Sequence, residues 1–332
     1  MPEIRKNRVT GEFVIMAPER AKRPSDLSGP KSDPKVLPEY SATCPLCAGN
    51  EAMTPPETYR IPDPANGSWL VRCVPNKFSA LSPEGELSWK TEGLRISMNG
   101  VGLHDVIVET PRHDMCTALM PVENVRNLIH TYQQRYRAFH SDLRVEQVII
   151  FKNYGTNAGT SLEHPHSQIV GMPITPVQIK YRSDEAMRFY MDNGACLLCR
   201  TLEEEMTDGR RVVFESEHFA AFIPYASLSP FHTWIFPKRH TCCFGDASRE
   251  ELDDLAGVLK AVLYKLYKGI GNPDFNYSIR SSTPSEATSR HLHWYMAIIP
   301  RITRDAGFEL GTGMRINPSV PEVNAEFLRG IV

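Results

Sequence analysis

The pattern that most limits what this chain can fold into is a spacing that occurs twice. Cys44-Pro-Leu-Cys47 is followed by the apolar run HDVIVETPRH, which ends at His113, and then by His164-Pro-His166. Cys196-Leu-Leu-Cys199 is followed by HTWIFPKRH, which ends at His240, and then by His291-Leu-His293. His113 and His164 are 51 positions apart, and so are His240 and His291. Each time the order is a Cys pair, a strand-like run ending in Pro and His, a helix, and His-x-His inside another apolar run. This reads as an internal duplication of one supersecondary plan, in two copies and without a solenoid period.

The elements between these landmarks are legible. Residues 122–141 carry Val122 or Val125, Leu128, Ile129, Tyr132 and Tyr136 on one side of a helix. Residues 248–271 repeat the pattern, with Ser248 and Glu251 as a capping box and Gly269 and Gly271 as the stop. Strand-like runs flank each helix: HDVIVET and EQVIIFKN in the first half, FAAFIPY, FHTWIFP, FNYSIRS and HWYMAIIP in the second. Meandering strands with one long helix per half predict an α+β fold of antiparallel sheets. The division is expected within 173–194, giving units 1–178 and 179–332. Residues 25–43, rich in Pro, Ser, Asp and Lys, read as an extended surface stretch.

Composition narrows the class. The chain has 332 residues, a formal net charge of −2 and a hydrophobic share of 41%. No global field favours nucleic acid or a membrane surface, so an anionic ligand must be held by a local cluster. No run reaches the ~20 apolar residues of a membrane helix, and MPEIRKNRVTGEF lacks the apolar core of a signal peptide. The expectation is a cytoplasmic protein, in which the eight cysteines are thiols or metal ligands rather than disulfides. Cys73, Cys116, Cys242 and Cys243 have no informative spacing and read as packing thiols.

In each half two cysteines and two histidines form a Cys₂His₂ set, whose thiolate and imidazole donors suit Zn²⁺. The first is Cys44, Cys47, His113 and His164. The second is Cys196, Cys199, His240 and one of His291 and His293. Spacing alone makes His291 the counterpart of His164, but residues two apart on a strand face the same way, so geometry leaves the choice open. A redox Cys-x-x-C is the competing reading; it wants a single pair in a βαβ setting, whereas here histidines follow both pairs at matching offsets. Four protein ligands close each site, which indicates structural metals.

With His164 on a metal, His166 faces the same side and stays free. A neutral imidazole can attack phosphorus and pass the group onward; the attacking nitrogen depends on what the other one donates to, often a backbone carbonyl. Gln168, two further on, can donate to a phosphate oxygen. The preceding loop NYGTNAGTS (153–161) offers backbone amides and the hydroxyls of Thr156, Thr160 and Ser161.

HPHSQI with its loop resembles the His-Pro-His-x-Gln signature of the galactose-1-phosphate uridylyltransferase family, within the histidine-triad superfamily. RVTGEFVIMAPERAKRP (8–24), CPLC, VPNKFSAL (74–81), ETPRH (109–113) and FKNYG (151–155) fall in that family's order, so the likeness spans nearly the whole chain. The resemblance implies two histidine-triad-like halves, a homodimer, and ping-pong transfer of a nucleotidyl group from a nucleotide sugar to His166 and on to phosphate or a sugar 1-phosphate. It assigns Arg20 and Arg23 to phosphate or nucleotide, Asn76 and Asn153 to ribose or phosphate, and Gly159, Thr160, Ser161 and Gln168 to the transferred phosphoryl group. It makes His293 the second-set ligand and allows iron there in place of zinc. The C-terminal segment FELGTGMRINP departs from the uridylyltransferase pattern, with Thr312 and Gly313 after Gly311 where Tyr and Glu hold the hexose. Together with the second Cys pair this is similar to the ADP-glucose phosphorylase-like branch, so adenine and uracil both stay open. The other readings are true uridylyl transfer, a histidine-triad nucleotide hydrolase, and a zinc-stabilised nucleotide-binding protein. Nucleic acid is disfavoured by the charge balance and by the lack of interleaved aromatic and basic residues.

Overall fold

Ten strands make one antiparallel sheet, and their order displays the repeat. The computed structural model describes residues 1–20, 37–286 and 288–332; residues 25–36 of the expected surface stretch lie outside the described residues. After β1 (Glu3–Lys6) and β2 (Phe13–Met16), the first half runs β3 (Tyr59–Pro62), β4 (Trp69–Pro75), a small hairpin of β5 (Trp89–Glu92) and β6 (Arg95–Met98), β7 (Leu103–Val108), helix α1 (Val122–His140), β8 (Gln147–Tyr154) and β9 (His166–Met172). Two helices follow, α2 (Val177–Asn193) and α3 (Leu197–Asp208). The second half runs β10 (Val212–Glu215), β11 (Phe219–Phe222), β12 (Thr233–Pro237), α4 (Arg249–Ile270), β13 (Phe275–Arg280) and β14 (Tyr295–Pro300), and the chain closes with α5 (Gly307–Thr312), β15 (Arg315–Asn317) and α6 (Pro321–Arg329). The sheet order is β10-β11-β12-β14-β13-β8-β9-β7-β4-β3. Read inward from either edge, the two halves match strand for strand, and β8 meets β13 antiparallel at the centre, with Phe151 opposite Ser278.

Both long helices cover one face of this sheet and share one core. Val125, Leu128, Ile129, Tyr132 and Tyr136 of α1 are buried with Leu252, Leu255, Leu259, Val262 and Leu266 of α4, against Ile107, Ile150, Ile169, Ile279 and Met296. Their three- and four-residue spacing is the apolar stripe of an amphipathic helix, and each such side chain removed from water contributes about 1.5–3 kcal/mol. Ser248 caps α4: its side chain accepts from the Glu251 N–H while Glu251 accepts from the Ser248 N–H. Gly271 ends the helix in the left-handed region at φ +77°. Gly269, expected to share in the stop, stays inside the helix.

The opposite face differs between the halves. On the second half α3 lays Leu197, Leu198 and Leu202 against Phe222, Trp234 and Phe236. This burial on both faces explains why β11 and β12 are continuous apolar runs rather than alternating ones. On the first half that face carries the turn of Cys44 and Cys47, with Leu46 beside Trp69 and Val108, and His166 and Gln168 of β9 point to it. Helix α2 was not expected; its segment had read as a boundary. Pro176 before it and Gly194 after it, at φ +65°, are ordinary start and stop signals, but only Ala186 is buried, so no apolar stripe marks it.

Candidate active site

The two Cys₂His₂ sets assemble in matching geometry. Cys44, Cys47, His113 and His164 place their ligand atoms within 4.8 Å of one another, and so do Cys196, Cys199, His240 and His293. In the first set Cys47 Sγ lies 3.5 Å from Nδ1 of both His113 and His164. In the second, Cys199 Sγ lies 3.2 and 3.3 Å from Nδ1 of His240 and His293. A tetrahedron with Zn–S near 2.3 Å and Zn–N near 2.0–2.1 Å needs an S···N distance of about 3.6 Å, so the donor sets fit such an ion. The remaining ring nitrogens are fixed alike: Nε2 of His164 donates to the Thr110 carbonyl at 2.8 Å, and Nε2 of His293 to the Pro237 carbonyl at 3.0 Å. These bonds select the tautomer that leaves Nδ1 free for a metal. Of the two candidates in the second set, His293 joins the cluster; His291 packs near Tyr190. The Cys pairs sit differently, Cys44 and Cys47 in tight turns and Cys196 at the N-cap of α3, where the helix dipole favours thiolate.

His166 begins β9 immediately beside the first set. Its Nδ1 donates to the carbonyl of His164 at 2.8 Å, which leaves Nε2 with its lone pair. Burial holds the ring below its usual basicity; the His164 carbonyl and Glu109 pull the other way, and Lys152 adds to the lowering. The product is a neutral, oriented imidazole. It lines a cleft of about 320 Å³ with Lys152, Asn153, Thr160 and the turn at Gly155 and Thr156.

The loop before His166 is held by the second half. Gly155 has φ +85°, and a Cβ there would collide with the Asp274 side chain, so any larger residue is strained in both backbone and packing. Asp274 Oδ2 accepts from the backbone N–H and the side-chain amide of Asn157, at 2.7 and 2.8 Å. On β13, Asn276 donates to Asn153 Oδ1 at 2.8 Å and to the Ala158 carbonyl at 2.9 Å. Beneath His166, on the helix side, Lys152 Nζ is 2.5 Å from Glu109 Oε2, both groups buried. Tyr132 donates to Ser167 at 2.8 Å and lies 2.5 Å from the Tyr277 hydroxyl.

The expected site residues separate into two groups. Asn153, Thr160 and His166 line one cleft. Gly159 and Ser161 belong to the same loop, Gly159 in the left-handed region at φ +88°. Gln168, two residues along β9, accepts from Asn76 at 3.3 Å and lies 2.8 Å from His104 Nε2. Arg20, Gly311, Thr312 and Gly313 do not line the cleft; the last three sit on or beside the exposed helix α5. Arg23 lies outside the described residues. Lys152, Glu109, His104 and Asn276 were missed. Lys152 had a signal: Val148, Ile150 and Lys152 share one face of β8, so a cation stands at a core position.

The comparisons with known proteins agree with this architecture. The model of the galactose-1-phosphate uridyl transferase N-terminal domain matches residues 1–176, and that of the C-terminal domain matches residues 148–330. ADP-glucose phosphorylase of Arabidopsis thaliana is 34% identical, over 99% of this chain and 93% of that protein. Galactose-1-phosphate uridylyltransferase of Thermotoga maritima is 30% identical, over 99% of this chain and 98% of that protein. The crystal structure of the Arabidopsis phosphorylase with bound ADP-glucose superimposes with a TM-score of 0.84 at 33% identity, covering 100% of this chain and 99% of the other.

Proposed function

Since the chain belongs to the galactose-1-phosphate uridyl transferase family, we propose that it moves a nucleoside monophosphate from a nucleoside diphosphate hexose to a phosphate acceptor through His166. Nε2 attacks the α-phosphorus. A P–N bond forms, the bond to the bridging oxygen breaks, and its electron pair leaves on the β-phosphate as hexose 1-phosphate. Inorganic phosphate or a sugar 1-phosphate then attacks the same phosphorus and returns the ring to its neutral state. The observation that carries this reading is the Nδ1–H···O=C bond to His164. Attack makes the imidazole cationic, and a carbonyl already aimed at Nδ1–H stabilises that charge without reorganisation. His164 belongs to the first metal set, so an ion bound there would fix this carbonyl. Zinc suits both sets by donor type, with iron an alternative in the second. Asn153, Thr160 and Lys152, which line the His166 cleft, together with Gln168 of β9 and Ser161 of the preceding loop, are the residues proposed to hold the transferred phosphoryl group. In this reading residues 1–178 carry the nucleophile, and residues 179–332 carry the second metal set and brace the first site.

Adenylyl transfer between ADP-glucose and phosphate is the first choice. It is supported by the resemblance to the Arabidopsis phosphorylase and by Thr312 and Gly313 in the C-terminal segment. Uridylyl transfer is the second, supported by the likeness to the Thermotoga enzyme. The chain is proposed to act as a homodimer. Exposed Phe308 and Leu310 on α5, and a His166 cleft that Gly311–Gly313 do not line, support α5 serving a partner's site. The test is intact-protein mass after brief incubation with ADP-glucose or UDP-glucose, acceptor withheld. An adduct of one nucleoside monophosphate, absent in His166→Gly, is expected, and its mass names the base. Metal-loaded protein that turns over either sugar while never carrying an adduct would refute the covalent route.

A further inference from the structure

The second half contains a cavity where the first has its cleft. His164 and His293 occupy equivalent places, each a metal-set ligand with Nε2 on a backbone carbonyl. Two residues further along the strand stand His166 in β9 and Tyr295 in β14. In the second half Arg280 of β13 lies opposite Tyr295; continuing the β8–β9 register from Phe151 opposite Gln168 places Asn153 opposite His166. The duplicate therefore replaces the Asn–His pair with Arg–Tyr. A cavity of about 360 Å³ opens there, roofed by α2 and lined by Arg182, Arg280 and Tyr295. Its size is close to that of the His166 cleft.

Two buried polar groups at the centre of this cavity are unpartnered. Tyr295 is 4% exposed, and its hydroxyl has no hydrogen-bond partner; neither has buried Nε of Arg280. Among the described residues neither Arg182 nor Arg280 forms a salt bridge, and Arg280 only overlies the Tyr295 ring, at 5.9 Å. One further step in the β8–β13 register sets Arg280 opposite Ile149, which offers no acceptor such as Asn276 meets in Asn153. Burial lowers the basicity of Arg182 first, and Arg280 beside it adds to the lowering; Tyr295 and Glu12 work against both. The acids at the cavity are engaged elsewhere: Glu286 accepts from Thr283 in its own turn, and exposed Glu146 accepts from Thr175. Exposed Asp184 and Lys180 also border it, and nearby buried His232 is neutral, pushed down to about 3 by burial. Two half-buried guanidinium groups without a salt-bridge partner, with Glu12, its Oε2 buried, the carboxylate that acts on Arg182, are costly. They are what a dianion would need, with a tyrosine hydroxyl as a further donor.

We infer that Arg182, Arg280 and Tyr295 form a second, non-catalytic site for a phosphate monoester. The Tyr295 hydroxyl has no base in hydrogen-bond contact to activate it, so the ligand is bound and not transferred. The inference stands on the duplicated fold and not on the reaction proposed above.

Isothermal titration of the metal-loaded full chain with inorganic phosphate, glucose 1-phosphate and AMP tests it, beside Arg280→Met, Arg182→Met and isosteric Tyr295→Phe. At least one probe is expected to bind about tenfold or more weaker in either arginine variant and severalfold weaker in Tyr295→Phe, while its binding survives His166→Gly. Ligand-free Arg280→Met should melt at or above the wild-type temperature, because an unpaired half-buried charge has gone. Wild-type isotherms for all three probes in every cavity variant would overturn the site. So would loss of all probe binding in His166→Gly, or a lower melting temperature of Arg280→Met with unchanged binding, which would make Arg280 a structural residue.

Discussion

Replacing Lys152 with methionine should cost far more stability than the loss of a surface charge. Lys152 and Glu109 are 1% and 0% exposed, with Nζ and Oε2 2.5 Å apart, and Thr117 donates to the same oxygen at 3.1 Å. Removing the cation leaves a buried carboxylate with one hydroxyl partner. Breaking a buried pair from one side costs about 3–5 kcal/mol. For 332 residues the unfolding entropy is about 0.7 kcal/mol/K, so the melting temperature should fall by about 4–7 °C. Combining Lys152→Met with Glu109→Gln removes charge and counter-charge together and should return stability to within about 1–2 kcal/mol of wild type. A double-mutant cycle of calorimetric and urea melts on metal-loaded proteins measures the coupling. Transfer activity is expected to stay low in both variants, because Lys152 also lines the cleft. If the double variant instead loses the sum of the two single-variant costs, the pair is not coupled and the reasoning fails. If activity recovers along with stability, Lys152 serves only to balance Glu109.

Three further outcomes are expected. Elemental analysis should find two metal ions per chain; Cys199→Ser should lower the melting temperature yet keep kcat within about threefold, whereas Cys47→Ser should also cost about 10–100-fold in activity through His164. Asn276→Leu should reduce kcat/KM by roughly 10–100-fold with little change in melting temperature, since misplacing Asn153 and the 155–159 turn degrades alignment rather than packing; full activity would show that Asn153 holds its position unaided. Gly155→Ala should lose about 1–3 kcal/mol from φ +85° alone, and more from the clash with Asp274, with a displaced loop visible in substrate KM.

What could be read from the sequence is what depends on local periodicity and on ligand chemistry. The duplication, both long helices, the inner strands and both metal sets follow from residue type and spacing. What could not be read depends on which residues meet across the sheet. Asn276 looks like any polar residue of an alternating strand until β13 is paired with β8. The choice of His293 over His291 depends on how the 281–292 segment enters β14, and equal spacing from His240 points to the wrong one. Helix α2 escaped because one buried residue in seventeen leaves no apolar stripe. Arg20 and the Gly311–Gly313 segment were grouped with His166 through the resemblance alone, and in one chain they lie elsewhere.

The seam between β8 and β13 supports the two halves unequally. Across it, Asn276 and Asp274 of the second half reach the loop that precedes His166 and fix it at five points: one on Asn153, one on Ala158, two on Asn157, and the close approach to Gly155. Reciprocal support is weaker, because the first half presents Ile149 to Arg280 and uses Gln147 to bind backbone carbonyls, one of them that of Ser281. At the same time α3 covers β11 and β12 on the face opposite α4, and Tyr295 packs against Trp234 and Phe236 with ring centroids 5.1 and 5.0 Å away. One half thus supplies the proposed nucleophile, and the other supplies rigidity from behind it. Because α1 and α4 share one core and β8 would otherwise be an open edge, the bracing half cannot be removed without exposing both a helix interface and an unpaired strand. The geometry of His166 is therefore a property of the whole ten-stranded sheet, set from one side by the first Cys₂His₂ set and from the other by β13.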